Sequence, residues 1–462
     1  MGDGSDDRHL HYYFIEAEDG AASAPLVLWL NGGPGSSSLF GMFTEVGQLT
    51  FSRDSLSTNS TEAPRLFRNP DAWTTVANML FLESPVGVGW SYCAESLQHG
   101  KPCVCNDTST ANENHDALLA FTARHPSLKD RPFYISGESY AGIYIPTLAE
   151  VIMKKGGMNL QGMAVGNGCW GSGENLYCGF GKEQKRIEAE FLFGHGFYSK
   201  AIKARLDTSC NWTPGKVSPI SEACAKVLAE VGSRSPHRAG NPSSGSMGTS
   251  EYIYDQCGYN PQMHNDQSRL LLASTMATVT TATAAVPIER VESEPFGPLG
   301  FQQKWCGARQ VAQPLWNSLP SVATAMHMKP FTGNALDYSV TRTGPGSDLR
   351  PLYKTLAEKY RLLIFSGDSD GCVPFTGSAE WTSGLGFPVV SDWRPWVAPM
   401  SSVVEGSDAP VPSGRVGYVT EYGGDAKGFA FATVNNAGHE VPTFQPRAAK
   451  ALISRFLANQ PL

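Results

Sequence analysis

Short, almost unbroken apolar runs set the first reading of the chain. Leu26–Leu30 (LVLWL), Met79–Leu82, Pro132–Ile135, Leu160–Val165 and Arg361–Phe365 (RLLIF) lack the alternation of a half-wet strand. Each predicts a strand covered on both faces, as in a parallel sheet. His11–Glu16 and Gly428–Val434 predict two further strands. Between them, Thr110–His125 has helical spacing, with Ala117, Leu118 and Phe121 on one side. Ala141–Met153, Leu349–Lys359 and the amphipathic Pro446–Leu457 also predict helices. Strands alternating with helices indicate an α/β fold with a mostly parallel sheet. The middle breaks this rhythm. Residues 180–310 hold charged helical stretches (Gly181–Leu192, Lys200–Leu206, Ala223–Val231), a Ser/Gly/Pro loop (Arg234–Ser250) and an Ala/Thr-rich stretch (Ala273–Ala285). They are expected to form an insertion between a first core part, 9–179, and a second, 311–462.

Composition narrows the class. The 462 residues are 41% hydrophobic and 17% charged, with net charge −7. That is enough apolar material for a large core and excludes global disorder. It also lacks the basic footprint of a nucleic-acid binder. No apolar run approaches the roughly 20 residues of a bilayer helix. The start, MGDGSDDRHL, shows neither a signal-peptide pattern nor, with Asp6, a myristoylation pattern. The ten cysteines are even in number and sit mostly in Gly/Pro/Asn-rich segments, nine of them between Cys93 and Cys306. With acceptors for N-glycosylation at Asn59, Asn106 and Asn211, they favour an oxidising, exported or endomembrane location.

The chemistry centres on a serine. Phe133–Gly142 reads FYISGESYAG, so a strand runs into Gly137, Ser139 follows, and a helix follows that. This is the arrangement of a nucleophile elbow, in which a tight turn lifts the hydroxyl above the sheet. An elbow calls for an acid and then a histidine, in that order. His439 lies just past the Phe429–Val434 strand, and Asp368 and Asp370 lie just past Leu362–Phe365. Serine is a weak nucleophile, so an imidazole must take its proton and a carboxylate must orient the imidazole. Spacing alone does not separate the two aspartates. Asn31–Gly35 (NGGPG) follows the LVLWL strand, where hydrolases with an elbow take one oxyanion-hole amide; the residue after the nucleophile supplies the other.

Six motifs together resemble the serine carboxypeptidases, including their lysosomal and vacuolar members. They are Trp29–Gly35 (WLNGGPG), Phe81–Tyr92 (FLESPVGVGWSY), Gly137–Pro146 (GESYAGIYIP), Ala164–Gly168 (AVGNG), Gly367–Asp370 (GDSD) and Gly438–Pro442 (GHEVP). The resemblance spans nearly the whole chain. It implies an α/β-hydrolase fold, a mostly parallel doubly wound sheet with an inserted, mainly helical cap. It implies Ser139, Asp370 and His439 as the triad, since the family uses the second Asp of its G-D-x-D. It implies the amides of Gly33 and Tyr140 as the oxyanion hole. It further implies that Asn31, Gly32, Glu45 and Glu138 hold the substrate's terminal carboxylate. Three facing carboxylates would repel, so one or both glutamates must carry a proton, which accounts for activity at acidic pH. The expected function is release of C-terminal residues from peptides through an acyl-enzyme on Ser139. No cofactor, metal or nucleic acid is expected, and the resemblance implies a homodimer in a lysosomal, vacuolar or secreted setting.

Two other uses of the scaffold compete. An acyltransferase uses the same triad, but such relatives tend to alter the carboxylate clamp, which is intact here. A protective partner role in a lysosomal-type complex is the second. The resemblance implies bridges Cys210–Cys224 and Cys257–Cys306, and Cys169–Cys178 makes a local pair. The family's Cys after Gly-Pro-Gly is Ser36 here, and its partner region, Asn334–Ser339, has none, so that bridge is expected to be absent. Pairing among Cys93, Cys103 and Cys105 stays open, and Cys372 is expected to be a free thiol.

Overall fold

The computed structural model describes residues 8–51, 55, 63–171, 182–210, 212, 220–234, 289–290, 312–326, 328, 336–340, 347–399 and 413–462. The apolar runs form the middle of one sheet. Its strands are β1 (Tyr12–Ile15), β2 (Leu26–Leu30), β3 (Asn78–Leu82), β4 (Phe133–Glu138), β5 (Leu160–Gly166), β6 (Arg361–Gly367), β7 (Val389–Pro399), β8 (Ser413–Tyr422) and β9 (Phe429–Val434). They lie in the order β7-β8-β9-β6-β5-β4-β2-β3-β1. From β9 to β3 every neighbour pair is parallel; β1, β8 and β7 join antiparallel at the two edges.

Side chains of the central strands alternate between two cores. Leu26, Leu28 and Leu30 face one layer, packed by helices α2 (Asp107–Arg124), α3 (Ala141–Lys155), α7 (Arg350–Ala357) and α8 (Phe375–Ser383). Val27 and Trp29 face the other, which is packed by α1 (Ser38–Thr44) and α9 (Pro446–Leu457). Burial on both faces explains why β2 reads LVLWL without alternation. The doubly wound, mostly parallel expectation therefore holds for this sheet.

The predicted helices at 181–192, 200–206 and 223–231 are α4 (Lys182–Gly194), α5 (Lys200–Cys210) and α6 (Glu222–Arg234). They share a small core of their own, around Phe191, Leu192, Ile202, Leu206, Leu228 and Val231. The Cys210–Cys224 disulfide closes it, as expected. Buried Arg186 anchors α4 to the main body through both oxygens of Glu380 on α8, at 2.8 and 2.7 Å. Most of the rest of the expected insertion, including Cys257, Cys306 and all of the predicted Arg234–Ser250 loop but Arg234 itself, which ends α6, lies outside the described residues, as do Cys178, Asn59 and Asn211.

The remaining cysteines give definite outcomes. Cys93 pairs with Cys103, while Cys105 and Cys372 are not disulfide-bonded. Cys169 is disulfide-bonded. Asn106 caps α2, its side-chain oxygen accepting the Ser109 amide at 2.8 Å.

Candidate active site

The carboxyl ends of five parallel strands, β2, β4, β5, β6 and β9, meet at one place; Asn31, Gly32, Gly33, Ser139, Tyr140, Asp370 and His439 follow these strands, Glu138 ends β4, and Glu45 ends the helix α1 that comes after β2. Such a crevice is where ligands bind in open α/β sheets. Ser139 immediately follows β4 and has φ 61°, a left-handed conformation that non-glycine residues rarely adopt. The turn fits only because its neighbours are small. A Cβ on Gly137 would come within 2.1 Å of the Leu30 carbonyl oxygen and 2.9 Å of the Ala141 Cβ. Backbone bonds pin the turn further: Ser139 N–H donates to Gly166 O at 3.0 Å, and Cys169 N–H donates to Ser139 O at 2.9 Å.

The aspartate ambiguity has a geometric answer. His439 Nδ1 lies 2.8 Å from Asp370 Oδ2, and both side chains are buried. Asp370 also accepts from the amides of Cys372 (2.7 Å) and Val373 (3.1 Å) and from Asn167 Nδ2 (2.7 Å). Asp368 faces elsewhere. It accepts the Asn436 amide at 2.6 Å and the Ser369 hydroxyl at 3.0 Å, so it ties the loop of Asp370 to the loop of His439. Burial raises the Asp368 carboxyl above its ordinary range, against the opposing pull of those donors and of His195, just past the end of α4. Sequence reasoning gave Asn167 no role, although it lies in the AVGNG motif. Its oxygen accepts Gly367 N–H at 3.0 Å while its nitrogen holds Asp370. It also follows directly on Gly166, the residue that receives the Ser139 amide. β5 thus connects the elbow to the Asp370–His439 pair.

A second acidic corner lies at the end of β2. Asn31 Oδ1 accepts from Trp29 Nε1 (2.7 Å) and Gly41 N (3.1 Å). With its oxygen so engaged, the amide nitrogen points the other way. It donates to Glu45 Oε1 at 3.0 Å and Glu138 Oε1 at 3.1 Å. Asn31, Glu45 and Glu138 are 2, 3 and 4% exposed, so the two acids meet within the protein and not at its surface. Glu45 takes its place as the C-cap of α1, whose start is capped by Ser37. Ser37 in turn donates to Glu83, a buried acid from the FLESPVGVGWSY motif that also accepts the Trp90 amide at 2.9 Å. The NGGPG loop lies directly against the elbow: a Cβ on Gly32 would come 2.4 Å from Tyr140 N and 2.6 Å from Ser139 Cβ. Gly33 has φ 111°. The structure thus brings the expected carboxylate-binding residues and the elbow into one crevice.

Comparison with known proteins gives the family. The family model described as serine carboxypeptidase matches residues 2–459. The chain belongs to the serine carboxypeptidase family. Serine carboxypeptidase 1 of Hordeum vulgare is 32% identical, over 98% of this chain and 87% of the relative. The lysosomal protective protein of Mus musculus is 31% identical, over 99% and 89%. Serine carboxypeptidase-like 21 of Arabidopsis thaliana is also 31% identical, over 98% and 88%. Among solved structures, a prohormone-processing carboxypeptidase from Saccharomyces cerevisiae superposes with TM-score 0.61, covering 99% of this chain and 88% of that one. At 20% identity that likeness speaks for the fold. This serine carboxypeptidase is a hydrolase whose substrates are peptides. No helix among its described residues is long and apolar enough to cross a membrane.

Proposed function

We propose that the enzyme removes C-terminal residues from peptides at acidic pH, with Ser139 as nucleophile, His439 as general base and Asp370 as the acid that orients it. The observation that carries this reading is the pairing of two corners in one crevice: an elbow joined through β5 to a buried Asp–His pair, and a buried Asn–Glu–Glu cluster beside it. His439 Nε2 takes the Ser139 proton as the hydroxyl attacks the scissile carbonyl. The Asp370 carboxylate, 2.8 Å from Nδ1, fixes the tautomer and offsets the charge of the imidazolium. The amides of Gly33 and Tyr140 hold the oxyanion. The leaving amine takes the proton from His439, and water then hydrolyses the acyl-enzyme by the same route.

The Asn31–Glu45–Glu138 cluster, with the Gly32 backbone, receives the free carboxylate of the departing residue. Two glutamates that share one amide repel when both are ionised, and an incoming carboxylate adds a third charge. A proton held by the cluster turns it into a hydrogen-bond donor. This requirement gives exopeptidase selectivity and the acid preference at once, and it favours peptidase chemistry over acyl transfer. Helices α4, α5 and α6, held to the main body through Arg186 and Glu380, act as part of a cap over the crevice. The disulfides Cys93–Cys103 and Cys210–Cys224, with the lysosomal relative, support a lysosomal, vacuolar or secreted location. A homodimer rests on the family resemblance alone and is checked by sedimentation.

The test is hydrolysis of a benzyloxycarbonyl dipeptide at pH 4 to 8, with fluorophosphonate labelling. Ser139→Ala is expected to abolish labelling and lower kcat by about 10⁴-fold or more. Label on another serine, or turnover surviving in Ser139→Ala, overturns the assignment.

A further inference from the structure

We infer that Asp107 is a positioning residue for catalysis: it anchors the Tyr140 phenol and thereby holds the Tyr140 amide and the strained Ser139 turn in register. The inference rests on the proposed roles of Ser139 and Tyr140. Asp107 belongs to none of the six motifs. It is the first residue of α2 and is 1% exposed. A carboxylate there sits at the positive end of a helix dipole, where a buried negative charge is best tolerated. Its Oδ1 accepts the Tyr140 hydroxyl at 2.9 Å and the Tyr338 hydroxyl at 2.7 Å. Three elements therefore converge on one oxygen: the start of α2, the residue just after the nucleophile, and the strand Leu336–Ser339. That strand pairs in parallel with Cys103–Asn106, the residues leading into Asp107, so Tyr338 arrives on a fixed backbone.

The tyrosine rings pack against one another. Tyr140 and Tyr144 lie 5.2 Å apart, Tyr140 and Tyr338 5.8 Å, both edge-on. Burial and the neighbouring carboxylate push the Tyr140 phenol far above its ordinary range, so it stays a proton donor at every working pH. The same holds for Tyr338.

This anchor has a mechanical purpose. Ser139 at φ 61° stores strain, and such a turn persists only when its surroundings over-determine it. Gly137 and Ala141 remove clashes but exert no pull. Tyr140 is the N-cap of α3 and has no side-chain capping bond of its own, so its phenol is free to serve as a tether. The tether runs from the residue that supplies an oxyanion-hole amide to a charge fixed on another helix. Loosening it shifts the amide relative to the developing oxyanion, which is felt in the transition state more than in the bound substrate.

The experiment measures kcat and KM for the blocked dipeptide, per fluorophosphonate-labelled serine, in Asp107→Ala, Asp107→Asn, Tyr140→Phe and the double variant Asp107→Ala/Tyr140→Phe. Asp107→Ala is expected to lower kcat by about tenfold with little change in KM, a partial loss of the kind caused by displacing an oxyanion donor. Asp107→Asn keeps an acceptor oxygen and is expected to recover most of the rate. In the Tyr140→Phe background, Asp107→Ala should cost no further kcat, because the tether is already cut. Should Asp107→Ala fail to fold, Tyr140→Phe alone carries the measurement, with the same fall in kcat. The inference is overturned if kcat per labelled serine is unchanged in Asp107→Ala while only the melting temperature drops, or if the two single losses multiply. If Ser139→Ala stays active, the triad assignment itself has failed, and the two outcomes are distinct.

Discussion

The two acidic corners of the site treat their carboxylates in opposite ways. Asp370 meets four donors: the Cys372 and Val373 amides, Asn167 Nδ2 and His439 Nδ1. That setting fixes the carboxylate that orients the imidazole. Glu45 and Glu138 instead divide the two hydrogens of a single amide. That setting suits acids that must carry a proton to do their work. On the proposed reading, selectivity for a free C-terminus and a preference for acid come from one arrangement.

Variants that upset one corner and spare the other test this contrast. The largest effect is expected for Asp370→Asn. The amide presents hydrogens to Nδ1, the imidazole turns to the wrong tautomer, and kcat falls by about 10⁴-fold with KM little changed. Stopped assays at several substrate concentrations separate the two parameters. Asn31→Ala comes next. It removes the bridge between the glutamates, and at roughly 1.5–3 kcal/mol for a bond to a charged group, kcat/KM should drop about 10–100-fold. Fluorophosphonate labelling of Ser139, which needs no substrate carboxylate, should persist. A smaller and more local loss is expected for Gly41→Ala. Its Cβ would come 2.2 Å from Trp29 Nε1 and 2.7 Å from Asn31 Oδ1, the bond that orients the clamp amide. Overpacking of this kind costs about 1–3 kcal/mol, so both melting temperature and kcat/KM should fall.

The smallest effect concerns Asp368. Its carboxyl is raised above 3.8 in the fold, mainly by burial. Below 3.8 both folded and unfolded states are protonated and stability is whole. As pH rises from there through the raised value, the unfolded chain releases its proton first and stability declines. Asp368→Asn removes that decline and keeps an oxygen for the Asn436 amide. Its melting temperature should match the wild type in acid and exceed it by at most about 2–4 °C at neutral pH.

Much of this was legible in the residues, for definite reasons. Strands buried on both faces read as apolar runs, so β2, β3, β5 and β6 stand out. The antiparallel pair β7 and β8 does not. Val389, Val390, Trp393 and Val397 are exposed on an edge strand, and Pro395 and Pro399 interrupt its pattern, so 384–427 reads as an irregular segment. Helices α1 and α8, of seven and nine residues, are too short for periodicity to declare. The elbow and its order of partners come from local sequence. The choice between Asp368 and Asp370 does not, because residues two apart have equal claim until the loop's hydrogen bonds are known. Asn167, Asp107 and the pairing of Cys93 with Cys103 are likewise products of long-range packing.

The most direct measurement is the pH dependence of kcat/KM for a blocked dipeptide between pH 4 and 8, in the wild type and in Glu138→Gln. The glutamine amide donates without a bound proton. The wild type should lose activity as pH rises, and the variant should lose much less. Superimposable profiles, or a flat profile in the wild type, would contradict the proton-sharing clamp.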